Sequence, residues 1–294
     1  YGYGVVLASK QYEPLILDKV QQVNLKIYQD FADLCERHGI NYFAISGTAI
    51  GTLRHKGFIP WDDDIDIAML REDYERFVGY AEAELSEKYY LMGPEFDHKY
   101  YNLTPNLVLK NTTFVTDSAW AGEFTPGFFL DIFIYDNIPE DASEAKRYRF
   151  WCKLYATLWR SGHIKSWKLM KASNGLVENL RLVIGSILHG ILCIIPDSES
   201  WVWSRYSKLV DKYRGKTKRY SALTDAGMLY MYVDEDEIYP LVELPFEGTS
   251  MKMVHEYKKQ LSRHMGTDYM VIPPISKRTN HCPRFIDFGD FFDK

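Results

Sequence analysis

Between Ile45 and Met69 the sequence ISGTAIGTLRHKGFIPWDDDIDIAM sets three features close together. They are a small-residue turn (Ser46-Gly47-Thr48), a basic cluster (Arg54-His55-Lys56) and an acidic run (Asp62-Asp63-Asp64-Ile65-Asp66). A turn that lets backbone approach a phosphate, cations, and carboxylates able to hold a divalent ion are the parts of phosphoryl-transfer chemistry. Asp64, Ile65, Asp66 and Ile67 alternate as a strand does. Both carboxylates then share one face, their Cα atoms about 6.5 Å apart, and both isoleucines turn to the core. Like charges on a half-buried strand are costly unless a cation answers them, and an all-oxygen site suits Mg2+, with Mn2+ as the substitute.

A third carboxylate has to come from a neighbouring strand. Asp131 is the candidate, because it interrupts the apolar run Phe128-Phe129-Leu130-Asp131-Ile132-Phe133-Ile134 and needs a partner there. Asp136 stands nearer the turn at Asn137-Ile138-Pro139 and reads as that turn's cap. Asp62 and Asp63, after Pro60-Trp61, read either as turn formers or as groups that orient Arg54 or His55. Lys110, at the end of a short apolar strand, is a candidate for substrate phosphate, against the ordinary fate of an exposed lysine.

The string GTAIGTLRHKGFIPWDDDIDI followed by LDIFIYD resembles the LicD family of phosphotransferases, to which the fukutin-related proteins are similar. The resemblance continues in LPFEG (Leu244 to Gly248), in DYMVIPP (Asp268 to Pro274), and then in Arg278 and His281. It implies a nucleotidyltransferase-like fold. It also implies transfer of a phospho-substituent, such as phosphocholine from CDP-choline, to a glycan or glycolipid acceptor. By motif, Gly47 and Thr48 match the fold's turn, with Ser46 beside them. Asp64 and Asp66 match its metal pair and Asp131 its third carboxylate. Arg54, His55, Lys56, Trp61, Asp62, Asp63, Lys110, Arg278 and His281 complete the expected substrate-binding set. Cys282 stands where a second histidine is expected, so that position departs from the pattern. One rival is a nucleotidyltransferase acting on a sugar phosphate; another is a non-catalytic glycan- or membrane-binding protein on the same fold.

The elements that must position these residues follow from periodicity. Leu15 to His38 predicts an amphipathic helix closed by Gly39, and Arg71 to Lys88 a second. Asn41 to Ile45, Asp64 to Met69, Tyr89 to Met92, Leu107 to Leu109, Thr113 to Thr116 and Phe128 to Ile134 read as strands of one mixed sheet. The expected class is α+β, a single catalytic domain over 15–283 with a helical insertion around 143–215. Residues 1–14 and 284–294 read as terminal extensions. Within the insertion, Leu180 to Ile195 carries a wide apolar stripe. It is short of the roughly 20 residues needed to span a bilayer, so a buried core helix is expected first and a peripheral membrane contact second.

A net charge of −5 argues against nucleic-acid binding. Four scattered cysteines, with no C-x-x-C pair, fit a reducing compartment. The expected location is the cytoplasm, at the inner face of the membrane.

Overall fold

The computed structural model describes residues 5–6, 12–172, 175–224 and 231–293. A short strand, β1 (Val5–Val6), precedes the long helix α1 (Pro14–Arg37). Proline in the first turn costs α1 no hydrogen bond, and Gly39, at φ 58°, takes the left-handed turn after its end. Val20, Val23, Ile27, Phe31 and Leu34 are fully buried, as their helical spacing predicts, and each such burial stabilises by about 1.5–3 kcal/mol.

The expected strand at Asn41 to Ile45 shrinks to β2 (Phe43–Ala44). Ser46 takes a left-handed φ of 51° and α2 (Ser46–His55) starts at once, so the small-residue turn is the first turn of a helix. Strand β3 (Asp66–Leu70) begins at the second of the paired aspartates, leaving Asp64 in the segment before it. Then come α3 (Arg71–Glu84), β4 (Tyr89–Met92), β5 (Asn106–Leu109), β6 (Thr113–Val115), the short α4 (Asp117–Ala121) and β7 (Phe129–Asn137).

Among the described residues seven strands make the main sheet. Its path is β2-β3-β7-β5-β4, and β8 (Arg219–Ala222) with β9 (Tyr232–Asp234) join along the far half of β7. Strands β3 and β7 run parallel, and every other pairing in the sheet is antiparallel. Strand β7 has β3 along 131–135 on one side and β5 and β8 toward its two ends on the other, and Leu130, Ile132, Ile134 and Tyr135 are almost fully buried. Strand β6 is not in this sheet. It pairs with β12 (Phe285–Asp287), which pairs in turn with β1. Ile286 is fully buried there, so the chain beyond 283 is part of the core rather than an extension.

Between β7 and β8 lie α5 (Ala142–His163), a 3-10 turn (Ser166–Ala172), α6 (Leu176–Ile194) and α7 (Ser198–Val210). Helices α5 and α7 bury Tyr148, Cys152, Trp159, Val202 and Tyr206 against Leu103, Ile138 and Leu223. Helix α6 does not enter a core. Its stripe faces outward, with Ile184, Ile187 and Ile191 each at least 50% exposed, and this overturns the expectation of a buried helix. Periodicity reports that a stripe exists and not what covers it. After β9, the short α8 (Glu235–Ile238) leads to the hairpin of β10 (Val242–Phe246) and β11 (Thr249–Met253), and α9 (Tyr257–Met265) precedes the tail.

Candidate active site

The parallel register of β3 and β7 sets Asp66 opposite Asp131. The segment before β3 brings Asp64 to the same place. Asp64, Asp66 and Asp131 each offer a carboxylate oxygen within 4.8 Å of the others, all half-buried. The backbone holds this arrangement from three sides. The Asp66 N–H donates to Thr48 Oγ1 at 2.8 Å and the Asp131 N–H to the Ile65 carbonyl at 3.2 Å, while Ile65 and Ile67 are fully buried beneath. Burial, then the charges of Asp64 and Asp131, hold the Asp66 carboxyl well above the usual carboxylate range. The cluster is thus built to be unhappy without positive charge. Three converging oxygens are the donor set of a hard divalent cation, and these residues fit one.

Asp131 has a supporting chain that the sequence reading missed. Asn106, at the start of β5, stands opposite it in the antiparallel register. Its Nδ2 donates to Asp131 Oδ1 at 2.5 Å. The Tyr100 hydroxyl donates to Asn106 Oδ1, and Trp159 Nε1 donates to the Tyr100 carbonyl at 3.0 Å. An asparagine opening the apolar run Asn106-Leu107-Val108-Leu109 was the visible signal, since a buried amide needs partners on both of its ends.

The two preceding aspartates have different tasks. Asp63, only 2% exposed, accepts from the Tyr12 hydroxyl at 2.7 Å, from the His281 N–H at 2.9 Å and from the Cys282 N–H at 3.1 Å. It clamps the tail and orients neither Arg54 nor His55. Asp62 Oδ2 lies so close to Gly47 that a Cβ there would meet it at 2.6 Å, so only glycine lets this carboxylate sit against the start of α2. Burial, then Asp64 and Asp63, push the Asp62 carboxyl up to about 8.

The tail completes one wall. His281 Nδ1 lies 3.1 Å from Asp64 Oδ2 and 3.4 Å from Asp63 Oδ1. Hydrogen bonds to Asp63 and Asp64 push its imidazole up to about 12. Arg278 covers the Trp61 ring at 4.2 Å from its centroid, with Arg54 on the same ring at 6.0 Å. Arg54 Nη1 also donates to the Tyr269 and Val271 carbonyls, both at 3.2 Å. The motif LPFEG acts at a distance. Glu247 Oε1 accepts from the Phe58 N–H at 3.0 Å, and its own N–H donates to the Lys56 carbonyl at 2.9 Å. A Cβ on Gly57 would run into that carboxylate, so the hairpin turn braces the loop that leads to the acidic run.

Some expected residues are not brought together. Arg54, His55 and Lys56 end α2, about 9–12 Å along its axis from Thr48. Burial, then Arg54, lower the His55 imidazole from its ordinary value. Lys110 lies four residues beyond Asn106, about 13 Å along β5 and away from the carboxylates, with its Nζ donating to the Ser86 carbonyl at 2.6 Å. Asp136 is not a turn cap. Arg71 Nε and Nη2 take both its oxygens at 2.8 Å, a buried bidentate pair.

A cleft of about 400 Å³ opens directly on Asp131. Tyr101, Asn106, Phe129, Arg160, Asn280, His281 and Cys282 line it, together with Asp117 and Ser118 from α4. Arg160 Nη2 donates to Ser118 Oγ at 3.0 Å, and Asp117 pairs with Arg284 Nε at 2.5 Å. Arg160 was missed because nothing in the sequence ties the middle of α5 to a strand of the sheet.

A mixed sheet that presents three carboxylates beside the start of a short helix defines a nucleotidyltransferase-like domain. Comparison with known proteins agrees. Residues 39–149 match the family described as LicD/FKTN/FKRP, nucleotidyltransferase domain. Over 272 residues the chain is 30% identical to the lipopolysaccharide cholinephosphotransferase LicD of Haemophilus influenzae, covering 91% of this chain and 96% of that one. Two uncharacterised proteins of Rickettsia typhi and Rickettsia prowazekii are each 34% identical over about a quarter of both chains. The chain belongs to the LicD family.

Proposed function

We propose that this protein transfers phosphocholine from CDP-choline to a hydroxyl of a cell-surface glycan, releasing CMP. The observation that carries the reading is the convergence of Asp64, Asp66 and Asp131, the last of which lines the cleft. The substituent is taken from the H. influenzae relative, which matches along nearly its whole length. A non-catalytic protein would have had no reason to keep three mutually repelling carboxylates braced by Asn106 and Thr48.

A divalent ion, Mg2+ or Mn2+, held by Asp64, Asp66 and Asp131 would neutralise donor phosphate charge as a Lewis acid. The chain's own groups do the positioning, which is where phosphoryl transfer gains most. Asn106 fixes the plane of Asp131. The His281 imidazolium beside Asp64 adds fixed positive charge, and Arg160, which lines the same cleft, supplies more. Asp131 takes the proton of the acceptor hydroxyl as its oxygen bonds to phosphorus and the bond from phosphorus to the CMP oxygen breaks. Free cysteines throughout the described residues support work on the cytoplasmic side.

A thermal-shift series with CDP-choline, CDP-ethanolamine, CDP-glycerol and CDP-ribitol tests the donor. A ligand that binds only the native state adds about 2.7 kcal/mol at a hundred times its Kd. CDP-choline is expected to raise Tm most, and only with Mg2+ or Mn2+ present. A larger shift from another CDP compound would change the substituent, and no shift from any would remove the CDP-linked donor.

A further inference from the structure

The outward face of α6 is clean. At about 100° per residue, Leu176, Leu180, Ile184, Ile187, Ile191 and Ile194 fall within an arc of about 80°, and they are 50% to 89% exposed. The back of the helix is fixed. His189 is buried with its Nδ1 2.9 Å from the Ser161 carbonyl, and Gly185 lies so close to the 3-10 turn that a Cβ would meet Ser166 Oγ at 2.7 Å. The stripe therefore cannot roll inward. Soluble chains rarely expose a contiguous apolar surface of this extent without a partner for it.

The length and composition of α6, 19 residues at a mean hydropathy of 1.5, would also suit a membrane crossing. Its back, held against α5 and the 3-10 turn through His189 and Gly185, favours lying on a membrane over crossing one. The charge of the unit that carries it selects the partner. Residues 142–210 hold eleven Lys and Arg against four Asp and Glu, a net of +7 in a chain whose total is −5; the remainder is therefore at −12. Lys153, Arg181, Arg205 and Lys208 of this unit are exposed. Phe150 and Trp151 on α5 and Trp201 on α7 are 43% to 61% exposed, with Arg205 over the Trp201 ring at 5.7 Å. An apolar stripe on a helical unit that also exposes aromatic and basic residues has the chemistry of an anionic lipid interface. A second copy of the chain is disfavoured, since docking stripe to stripe would bring two units of +7 together.

We propose that α6 docks flat on an anionic phospholipid surface, its stripe in the acyl boundary and the basic residues of α5 and α7 at the headgroups. Helix α5 then links that surface to the cleft, since Trp159 bonds Tyr100 and Arg160 lines the wall. Docking is independent of turnover and of which donor is used. The test is sedimentation of the full chain with vesicles of phosphatidylcholine, alone or mixed with phosphatidylglycerol. The protein is expected to pellet with the mixed vesicles, less with the neutral ones, and less as salt is raised. Ile187→Glu with Ile191→Glu should weaken partition at least about tenfold, from the apolar area withheld, at unchanged Tm. Lys153→Glu with Arg205→Glu should remove the preference for anionic lipid. Protein left in the supernatant, equal binding to both vesicles, or binding indifferent to the isoleucine pair would overturn the proposal. So would a dimer in light scattering that the isoleucine variant splits.

Discussion

Asp66 and Asp131 face each other in register on two parallel strands, with Asp64 completing a set of oxygens within 4.8 Å. In a sheet interior, opposed like charges destabilise. The proposed function turns that cost to use, since a cation held by the three carboxylates would relieve it.

Asp66→Asn and Asp64→Asn remove charge at nearly constant shape. Each is expected to lower turnover by roughly 10³ or more while Tm without metal stays level or rises, because repulsion is relieved. Chelation should act on the native enzyme as the substitutions do. Full activity in EDTA would end the metal role.

Asp131 offers a finer comparison. Asp131→Ala leaves the buried Asn106 amide without this acceptor, which costs about 1–3 kcal/mol and offsets any relief of repulsion. Asp131→Asn keeps an acceptor oxygen for Asn106 and should be the more stable of the two. Neither should turn over. An active Asp131→Asn enzyme, measured by CMP release, would contradict the assignment.

Asp63 is adjacent in sequence and opposite in role. Asp63→Ala strands the Tyr12 hydroxyl and the His281 and Cys282 N–H groups together. A loss of about 3–5 kcal/mol is expected, with early proteolytic cleavage in the released tail. A variant that melts and resists protease like the native chain would show that the clamp contributes nothing.

The pH dependence has a definite sign. Asp62, raised from 3.8 to about 8, holds in the metal-free fold a proton that the unfolded chain gives up earlier. Its stabilising contribution is full below pH 3.8 and is lost as pH rises through about 8. His281, raised from 6.5 to about 12, continues the trend: full below 6.5 and lost toward 12. Tm of the metal-free protein should therefore fall from pH 5 to pH 9, and Asp62→Asn should flatten the lower part of that fall. A level profile for the native chain would refute it.

The carboxylates were legible because each is marked by its immediate neighbours, although Asp64 lies just before β3 and not in it. Alternation in Asp64-Ile65-Asp66-Ile67 and the intrusion of Asp131 into apolar sequence are both visible within a few residues. Helix α1 was legible for the same reason. What depended on register or long closure was not. Asn106 reaches Asp131 only through the antiparallel pairing of β5 with β7. His281 reaches Asp63 across 218 positions. Lys110 looked useful because it ends a strand, yet β5 runs its site end at Asn106 and carries Lys110 away. The outward turn of α6 could not be read from its stripe, since burial is settled by neighbours on α5 and not by α6 itself.

The central claim is tested most directly by identifying both products formed from CDP-choline, Mg2+ and a glycan acceptor, by mass spectrometry, for the native enzyme and for Asp66→Asn. The account predicts CMP and phosphocholine-bearing glycan in equal amounts from the native enzyme and neither from the variant. A nucleotidylated acceptor, or CMP formed equally by the variant, would contradict it.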